Sequence, residues 1–599
     1  MKLKFISMSL LIMLIGIILF SACKVSVSTS TSVAPVTSTS ISSLTSTQVP
    51  ATTKTTPSGN WWDKFGQPKY GGTFNVWVGD FGNVGIDPGK RMGRPYHYWL
   101  DRLFAPSDWT LDRTINPFKT EFIPSEYHVG LLATGWEQKD PKTIRVYLRE
   151  GVRWQNKPPV NGREFVASDV QYQYERLLGI GEFAEDGPNP FYSSELSNIE
   201  KVIAVDKFTV DFIFKTASIW NIYDILCPPG TTGSIGMAPE WVKQGDVDNW
   251  KNAVGTGPWI LSEFLPGVSL TYQKNHDYWG YDERYPQNKI PYIDTLKLVQ
   301  ITDKATAIAA LRTGKIDQMA ESRTGPSWVE AENIRKTNPE VNVDWWTCPG
   351  PSIAFGFSKQ TIFNDIRVRQ ALQMCIDREA IAKSYYFGKV EPTPCHLAHP
   401  LHAGWYLPYD KWPEDLKDLF NYNPVKAKEL LKEAGVKTPV NVNINAGNAD
   451  DLNVLQVILS YFKDIGVNVE IISNDMPAHM SIISSAKYEY MYYDKKSGRF
   501  ERPSSSILMY KSDYVDNNQK VSDSNFDNLV ERFQSANTID EAKEYFIEAD
   551  LYAMRQCWQV ILFPITVPVL WQSYIKGYSG EQLQSEIFGY YAASVLSGY

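Results

Sequence analysis

The stretch Gly255-Thr-Gly-Pro-Trp-Ile-Leu-Ser-Glu-Phe-Leu-Pro-Gly-Val-Ser-Leu-Thr-Tyr-Gln-Lys-Asn-His-Asp-Tyr-Trp-Gly280 organises the chain. Gly255 and Gly257 flank a threonine and precede Pro258, so a tight turn is expected to lead into a strand at Trp259-Ile260-Leu261. Pro266-Gly267 marks a second turn, after which Val268 to Tyr272 alternates apolar and polar residues. Strand, turn and strand make a β-hairpin laid on a larger body.

Composition sets the scale of that body. At 599 residues the chain exceeds what one core can organise, so two or more lobes are expected. A content of 43% hydrophobic and 21% charged residues is that of a soluble globular protein. The net charge of −8 leaves no basic field to neutralise phosphates and argues against nucleic acid as a partner. Aromatic residues make up 13%, including 19 Trp, a supply that suits a ligand cleft as well as a core.

The hairpin resembles a segment of the family 5 solute-binding proteins of ABC importers, the group of oligopeptide, dipeptide, nickel and some oligosaccharide receptors. The residues that carry the likeness are Gly255-Thr-Gly-Pro258 with Trp259, Pro266-Gly267, and Asn275-His-Asp-Tyr-Trp279. Further blocks agree in order. Tyr70-Gly-Gly-Thr-Phe-Asn-Val-Trp77 reads as a first strand, followed by Ile86-Asp87-Pro88. Leu131 to Trp136, Ile144 to Trp154 and Asn161 to Arg176 form an extended match, with a strand at Ile144–Leu148 and a helix that Ser168 is expected to cap. Asn161 stands where the family has Asp, an exchange that turn geometry tolerates. Ile293–Ile301 is strand-like, Ala305–Leu311 helical, and Gly314 with Ile316-Asp317 closes that unit. Asn364–Leu372 and Ile376–Ile381 match another signature, and Asn423 to Gly435 reads as a helix with Asn as its cap, Pro in its first turn and Gly at its end. Ala542–Met554 reads as a helix and Val560–Leu570 as one buried strand.

The resemblance implies an α/β protein of the two-lobed periplasmic-binding-protein type (type II, large, with an extra inserted subdomain). It implies a first lobe over 60–300 plus 545–599, an inserted subdomain at about 95–195 and a second lobe over 301–544. Two crossings between lobes make a hinge. Ahead of the body, Lys2, Lys4 and the apolar run Phe5–Phe20 have the layout of a signal peptide over 1–22. Leu19-Phe-Ser-Ala-Cys23 looks like a lipobox with Cys23 as the lipidated residue, and the Ser/Thr-rich remainder of 23–59 reads as a disordered tether.

No nucleophile elbow, H-E-x-x-H or phosphate-binding loop is present, so neither an enzyme nor a cofactor is signalled. Asp365 with Arg367 and Arg369, and Asp377 with Arg378, read as helix-surface and capping pairs. Cys395, His396, His399 and His402 lie within eight residues and are the weak candidates for a metal or metal chelate. In oligopeptide-binding members a cysteine at the position of Cys348 bridges to one near the ligand. Ser497 stands at the second position, so that bridge is not expected here.

Peptide-binding members place acids where Asp494-Lys-Lys-Ser-Gly-Arg-Phe-Glu-Arg-Pro503 puts Arg499 and Arg502. Like charge would oppose a peptide's α-ammonium. The candidate ligand-binding set is Trp259, Trp345, Trp346, Lys495, Arg499, Phe500 and Arg502, whose flat and forked groups suit an oligosaccharide or a peptide lacking a free N-terminus. The expectation is a monomeric, lipid-anchored, extracytoplasmic receptor that captures a peptide-like or oligosaccharide solute for an ABC permease and its ATPases. A sensory receptor or chaperone on the same fold is the alternative.

Overall fold

A computed structural model describes residues 59–581 apart from 80, 82–85, 88–97, 106–108, 121–122, 190–195, 227–236, 321–324, 401, 403, 448–451 and 495–502. Two sheets anchor the two lobes. The first has seven strands, with Thr73–Val78 at its centre, parallel to Thr295–Gln300 on one side and to the short Gln318–Met319 on the other. Ser269–Lys274 and Trp259–Leu265 continue one edge; Ile565–Gln572 and Val341–Cys348 continue the other.

The hairpin forms as its pattern predicts, antiparallel with Leu261 opposite Tyr272, and Gly267 takes the left-handed φ of 70° that the turn requires. Gly255 and Gly257 serve a different purpose from the one expected, since neither has a positive φ. A Cβ on Gly255 would lie 1.9 Å from the Trp99 carbonyl oxygen, and one on Gly257 would lie 2.6 Å from the Trp99 carbonyl carbon. They are glycines because another backbone passes through the space a side chain would fill. The Gly257 amide donates to the Trp99 carbonyl at 2.9 Å and makes the approach a hydrogen bond.

The inserted subdomain is a four-stranded antiparallel sheet in the order Ala133–Asp140, Thr143–Leu148, Thr209–Phe214, Ile199–Asp206. Helix Ala167–Leu178 covers one face through Val170, Tyr174 and Leu177, with Tyr174 edge-on to Phe212 at 5.0 Å. The expected end of the subdomain near 195 is therefore too early, because half of its strands come later in sequence. Ser168 is not the cap; the Asp169 carboxylate accepts the Val166 amide at 3.0 Å. Asn161 adopts a φ of 53°, the turn conformation that Asn tolerates.

The second lobe is built on five strands in the order Val467–Asn474, Val440–Gly447, Met491–Asp494, Ser352–Phe355, Gln559–Ile561. Val440–Gly447 and Val467–Asn474 are parallel, and the helix between them, Leu452–Asp464, buries Val454, Leu455, Ile458, Leu459 and Phe462. That spacing is the single apolar stripe of an amphipathic helix on a sheet. Asn423 accepts the Lys426 amide and Pro424 opens the helix Pro424–Glu433, as read from sequence.

Strand pairing moves the lobe boundaries. Val341–Cys348 belongs to the first sheet, so the passage to the second lobe comes after 348 instead of at 301. Helix Ile539–Gln556 and strand Gln559–Ile561 belong to the second lobe, so the return comes after 561 instead of at 545. The apolar run Val560–Leu570 is two strands in two sheets, not one strand. Both halves are buried, which makes the run continuous in hydropathy, and Pro564, with no amide hydrogen to give a ladder, stands where it is cut.

Candidate functional site

The site begins where the lobes join. The chain leaves the first sheet at Cys348, passes Pro349-Gly350-Pro351 and enters the second sheet at Ser352; it returns from Ile561 through Leu562-Phe563-Pro564 to Ile565. Cys348 pairs with Ile565 and Ser352 with Ile561, so the two links are three residues each and run side by side. A Cβ on Gly350 would fall 1.8 Å from the Phe563 carbonyl oxygen, so the links touch backbone to backbone.

The second-lobe root of the return link is clamped. The Ile561 amide donates to Gln373 Oε1 at 3.1 Å, and its carbonyl accepts Gln373 Nε2 at 3.2 Å and Arg378 Nη2 at 2.9 Å. Gln373 thus stands in for a neighbouring strand at the sheet edge. Asp365 and Asp377 cap their helices as expected, accepting the amides of Arg367 and Ala380. Arg369 and Arg378 are not surface residues. Both are buried and spend their donors on carbonyls, Arg369 on Gln556, Phe363 and Asn364, and burial pulls each guanidinium down to about 10.

A second contact joins the inserted sheet's side of the molecule to the second lobe. Trp220, in the turn after the inserted sheet, stacks on Phe533 of the second lobe with ring centroids 4.5 Å apart and lies 5.8 Å from Trp405. Its indole Nε1 donates to the Phe533 carbonyl at 3.2 Å, and Ser218 Oγ to the Gln534 carbonyl at 3.5 Å. The links and this contact together are the frame that joins the lobes.

Comparisons with known proteins bear on that frame. The family model for bacterial extracellular solute-binding proteins, family 5 (middle), matches residues 128–517. The chain belongs to this family. Among relatives, it is 26% identical over 454 residues to a di/tripeptide-binding protein 1 of Pseudomonas aeruginosa, covering 71% of this chain and 77% of that one. Among solved structures it resembles the ABC transporter-associated periplasmic binding protein DppA of Helicobacter pylori in complex with the peptide STSA. The TM-score is 0.69 at 20% identity, over 88% of this chain and 99% of that one. It also resembles AgaA of A. tumefaciens in complex with agropinic acid, with a TM-score of 0.65 at 20% identity, over 88% and 98%. The two-lobed α/β fold expected from sequence is thereby established.

The family motifs prove to be joints of the first lobe. Asp87 of Ile-Asp-Pro is fully buried and holds Arg176 of Glu-Arg in a forked pair at 2.9 and 2.6 Å. Tyr278 and Trp279 of Asn-His-Asp-Tyr-Trp both donate to the buried Asp101, at 3.2 and 3.4 Å. Burial outweighs those bonds and pushes the Asp101 carboxyl up to about 7. Asp317 accepts the Asn75 amide at 2.6 Å and the Tyr574 hydroxyl at 2.5 Å, tying the first strand to the returning chain.

The candidate ligand residues separate in the structure. Trp259 is wholly buried among the core residues of the first lobe. Trp346 is buried as well, its indole donating to the Gly580 carbonyl at 2.8 Å. Trp345, on the opposite face of the same strand, is half-buried and stacked on Trp328 at 3.5 Å and 9°. Strand alternation puts Trp345 and Trp346 on opposite faces of Val341–Cys348. Lys495, Arg499, Phe500, Arg502 and Cys23 lie outside the described residues.

The metal candidates do not converge. His396 has Nδ1 3.1 Å from Asp550 Oδ1 and Nε2 2.8 Å from the Tyr510 hydroxyl, so both ring nitrogens are already used. Burial holds the Cys395 thiol well above its ordinary pKa, whereas a metal needs the thiolate. His402 Nδ1 accepts the His399 amide at 3.3 Å, and burial lowers His399 to about 4. No group of three or more His, Cys, Asp or Glu able to hold a metal exists among the described residues. Cys375, Cys395 and Cys557 are free thiols, and they and Cys348 are buried.

The lobe-bridging Trp220 was invisible to sequence reading. It meets Phe533 across 313 positions, and nothing local marks either residue as half of a pair.

Proposed function

We propose that this protein is a receptor that takes a peptide-like solute between its lobes and presents the closed form to the permease of an ABC importer. The observation that carries the reading is the pair of touching three-residue links between two separate sheets, in a chain of the solute-binding family. Such links allow rotation, and a solute that contacts both lobes stabilises the closed form by its differential contacts. Relatives named as di/tripeptide-binding support peptide chemistry. The same fold around agropinic acid indicates that fold alone does not select a peptide.

The test is calorimetric titration with free-ended di- to tetrapeptides, their N-acetylated forms and an oligosaccharide pool. The N-acetylated arm probes the expected repulsion by Arg499 and Arg502. Binding by peptides of either kind supports the reading; binding by the sugar pool alone refutes it. We further propose that Cys23 carries the lipid anchor that holds the receptor at the membrane, acting as a monomer. A Cys23→Ser variant is expected to lose labelled-palmitate incorporation, and retention of label would refute the anchor.

A further inference from the structure

We infer that Trp220 is one half of a clasp that sets how much of the protein is closed, and hence its affinity and its rate of solute release. Trp220 stacks on Phe533 at 4.5 Å while its indole nitrogen donates to the carbonyl of that same residue, so position and orientation are fixed together. Trp405 flanks it at 5.8 Å and is itself held edge-on by Phe546 at 5.7 Å. Ser218 adds a hydroxyl bond to the Gln534 carbonyl. On the first-lobe side, Asn198 Nδ2 donates to Asn221 Oδ1 at 2.8 Å and Asn221 Nδ2 to the Thr216 carbonyl at 3.0 Å, so the turn bearing Trp220 is rigidly rooted.

Leverage makes the contact sensitive to closure. Phe546 lies in the helix Ile539–Gln556, whose far end leads into the strand entering the hinge. At the helical rise, Phe546 stands about 15 Å from that end, with Phe533 packed on it at 6.0 Å, and a rotation of about 20° moves a point at such a distance by roughly 5 Å. A stack at van der Waals separation cannot survive such a displacement. The clasp is therefore made in the closed form and lost in the open one. Any contact made in only one of two states biases the equilibrium between them, whatever solute is inside.

The inference rests on the receptor reading for its consequence for solute, but the clasp itself is testable with none added. The full chain, stripped of solute by unfolding and refolding, is compared by small-angle scattering with Trp220→Ala and Trp220→Phe. Trp220→Ala is expected to shift the balance toward open by roughly 10- to 30-fold and to enlarge the radius of gyration, and Trp220→Phe, which keeps a ring, to fall between. In parallel, Ser218→Cys with Gln534→Cys is oxidised and run on a non-reducing gel; a cross-link across 316 positions is expected, with scattering as compact as the unaltered protein or more so. Identical scattering from a folded Trp220→Ala variant and the unaltered chain overturns the clasp. Should Trp220→Ala not fold, failure of the cysteine pair to cross-link overturns it instead. Absence of peptide binding, with the scattering difference present, would sink the proposed solute and leave the clasp standing.

Discussion

Replacing Gly350 with alanine tests the hinge directly. The added Cβ would stand 1.8 Å from the Phe563 carbonyl oxygen and 2.8 Å from its carbonyl carbon, where real Cβ contacts stay beyond 3.0 Å. The links must then separate by at least about 1.2 Å, the difference between those distances. No flexible side chain is available to absorb the movement, since both nearest atoms are backbone. Overpacking of this kind costs about 1–3 kcal/mol. The strain falls on the pairs Cys348 with Ile565 and Ser352 with Ile561, and on the Ile561 groups that Gln373 and Arg378 hold. Gly350→Ala is therefore expected to lower the urea midpoint and to change the scattering envelope, while circular dichroism retains the secondary structure of both lobes. A variant that matches the unaltered protein in both measurements would refute the claim that the two links are in contact.

Two further outcomes are expected from the joints of the first lobe. Asp101 has a folded pKa of about 7, above its unfolded value, so its contribution is fully present below about pH 4 and is lost as pH rises toward 7. The loss is on the order of 4 kcal/mol, and Asp101→Asn should flatten the urea-midpoint profile across that window; an unchanged slope would discount the buried carboxyl. His399, depressed to about 4, acts in the opposite sense, losing stability as pH falls through the same range, so the variant comparison and not the raw profile isolates Asp101. Arg176→Ala takes the forked guanidinium away from the buried Asp87 carboxylate and should cost about 3–5 kcal/mol in urea unfolding. A cost below about 1 kcal/mol would mean that the carboxylate finds water or another donor.

The hairpin, the Asn423 cap and the helix read at Ala305–Leu311 were legible because each rests on local rules of period, turn and cap. Lobe boundaries were not, because hydropathy reports burial and not which sheet a strand joins; Val560–Leu570 is buried on both sides of its break. The burial of Trp259 and Trp346 was not legible for a related reason. A flat apolar ring suits a cleft and a core equally, and only the neighbours across the sheet decide which it fills. The family motifs proved to be ion pairs and buried carboxylates that join distant segments of the first lobe, such as Asp87 with Arg176 and Asp101 with Tyr278 and Trp279. Resemblance through such motifs identifies the scaffold and leaves the solute open.

How the lobes move follows from the short links. Paired backbone extends to Cys348 and Ile565 on one side and to Ser352 and Ile561 on the other, so only 349–351 and 562–564 are free of both ladders. Three of those six positions are proline, at 349, 351 and 564, where φ is fixed near −65° and little remains to rotate but ψ. Two parallel links of this length resist sliding and twisting of one lobe against the other, because either motion would stretch one link while slackening its neighbour. Bending across both links at once meets no such opposition. Motion is thus confined to one rotation, opening and closing the space between the lobes, and a contact such as Trp220 on Phe533 is made or broken by how far that rotation has gone.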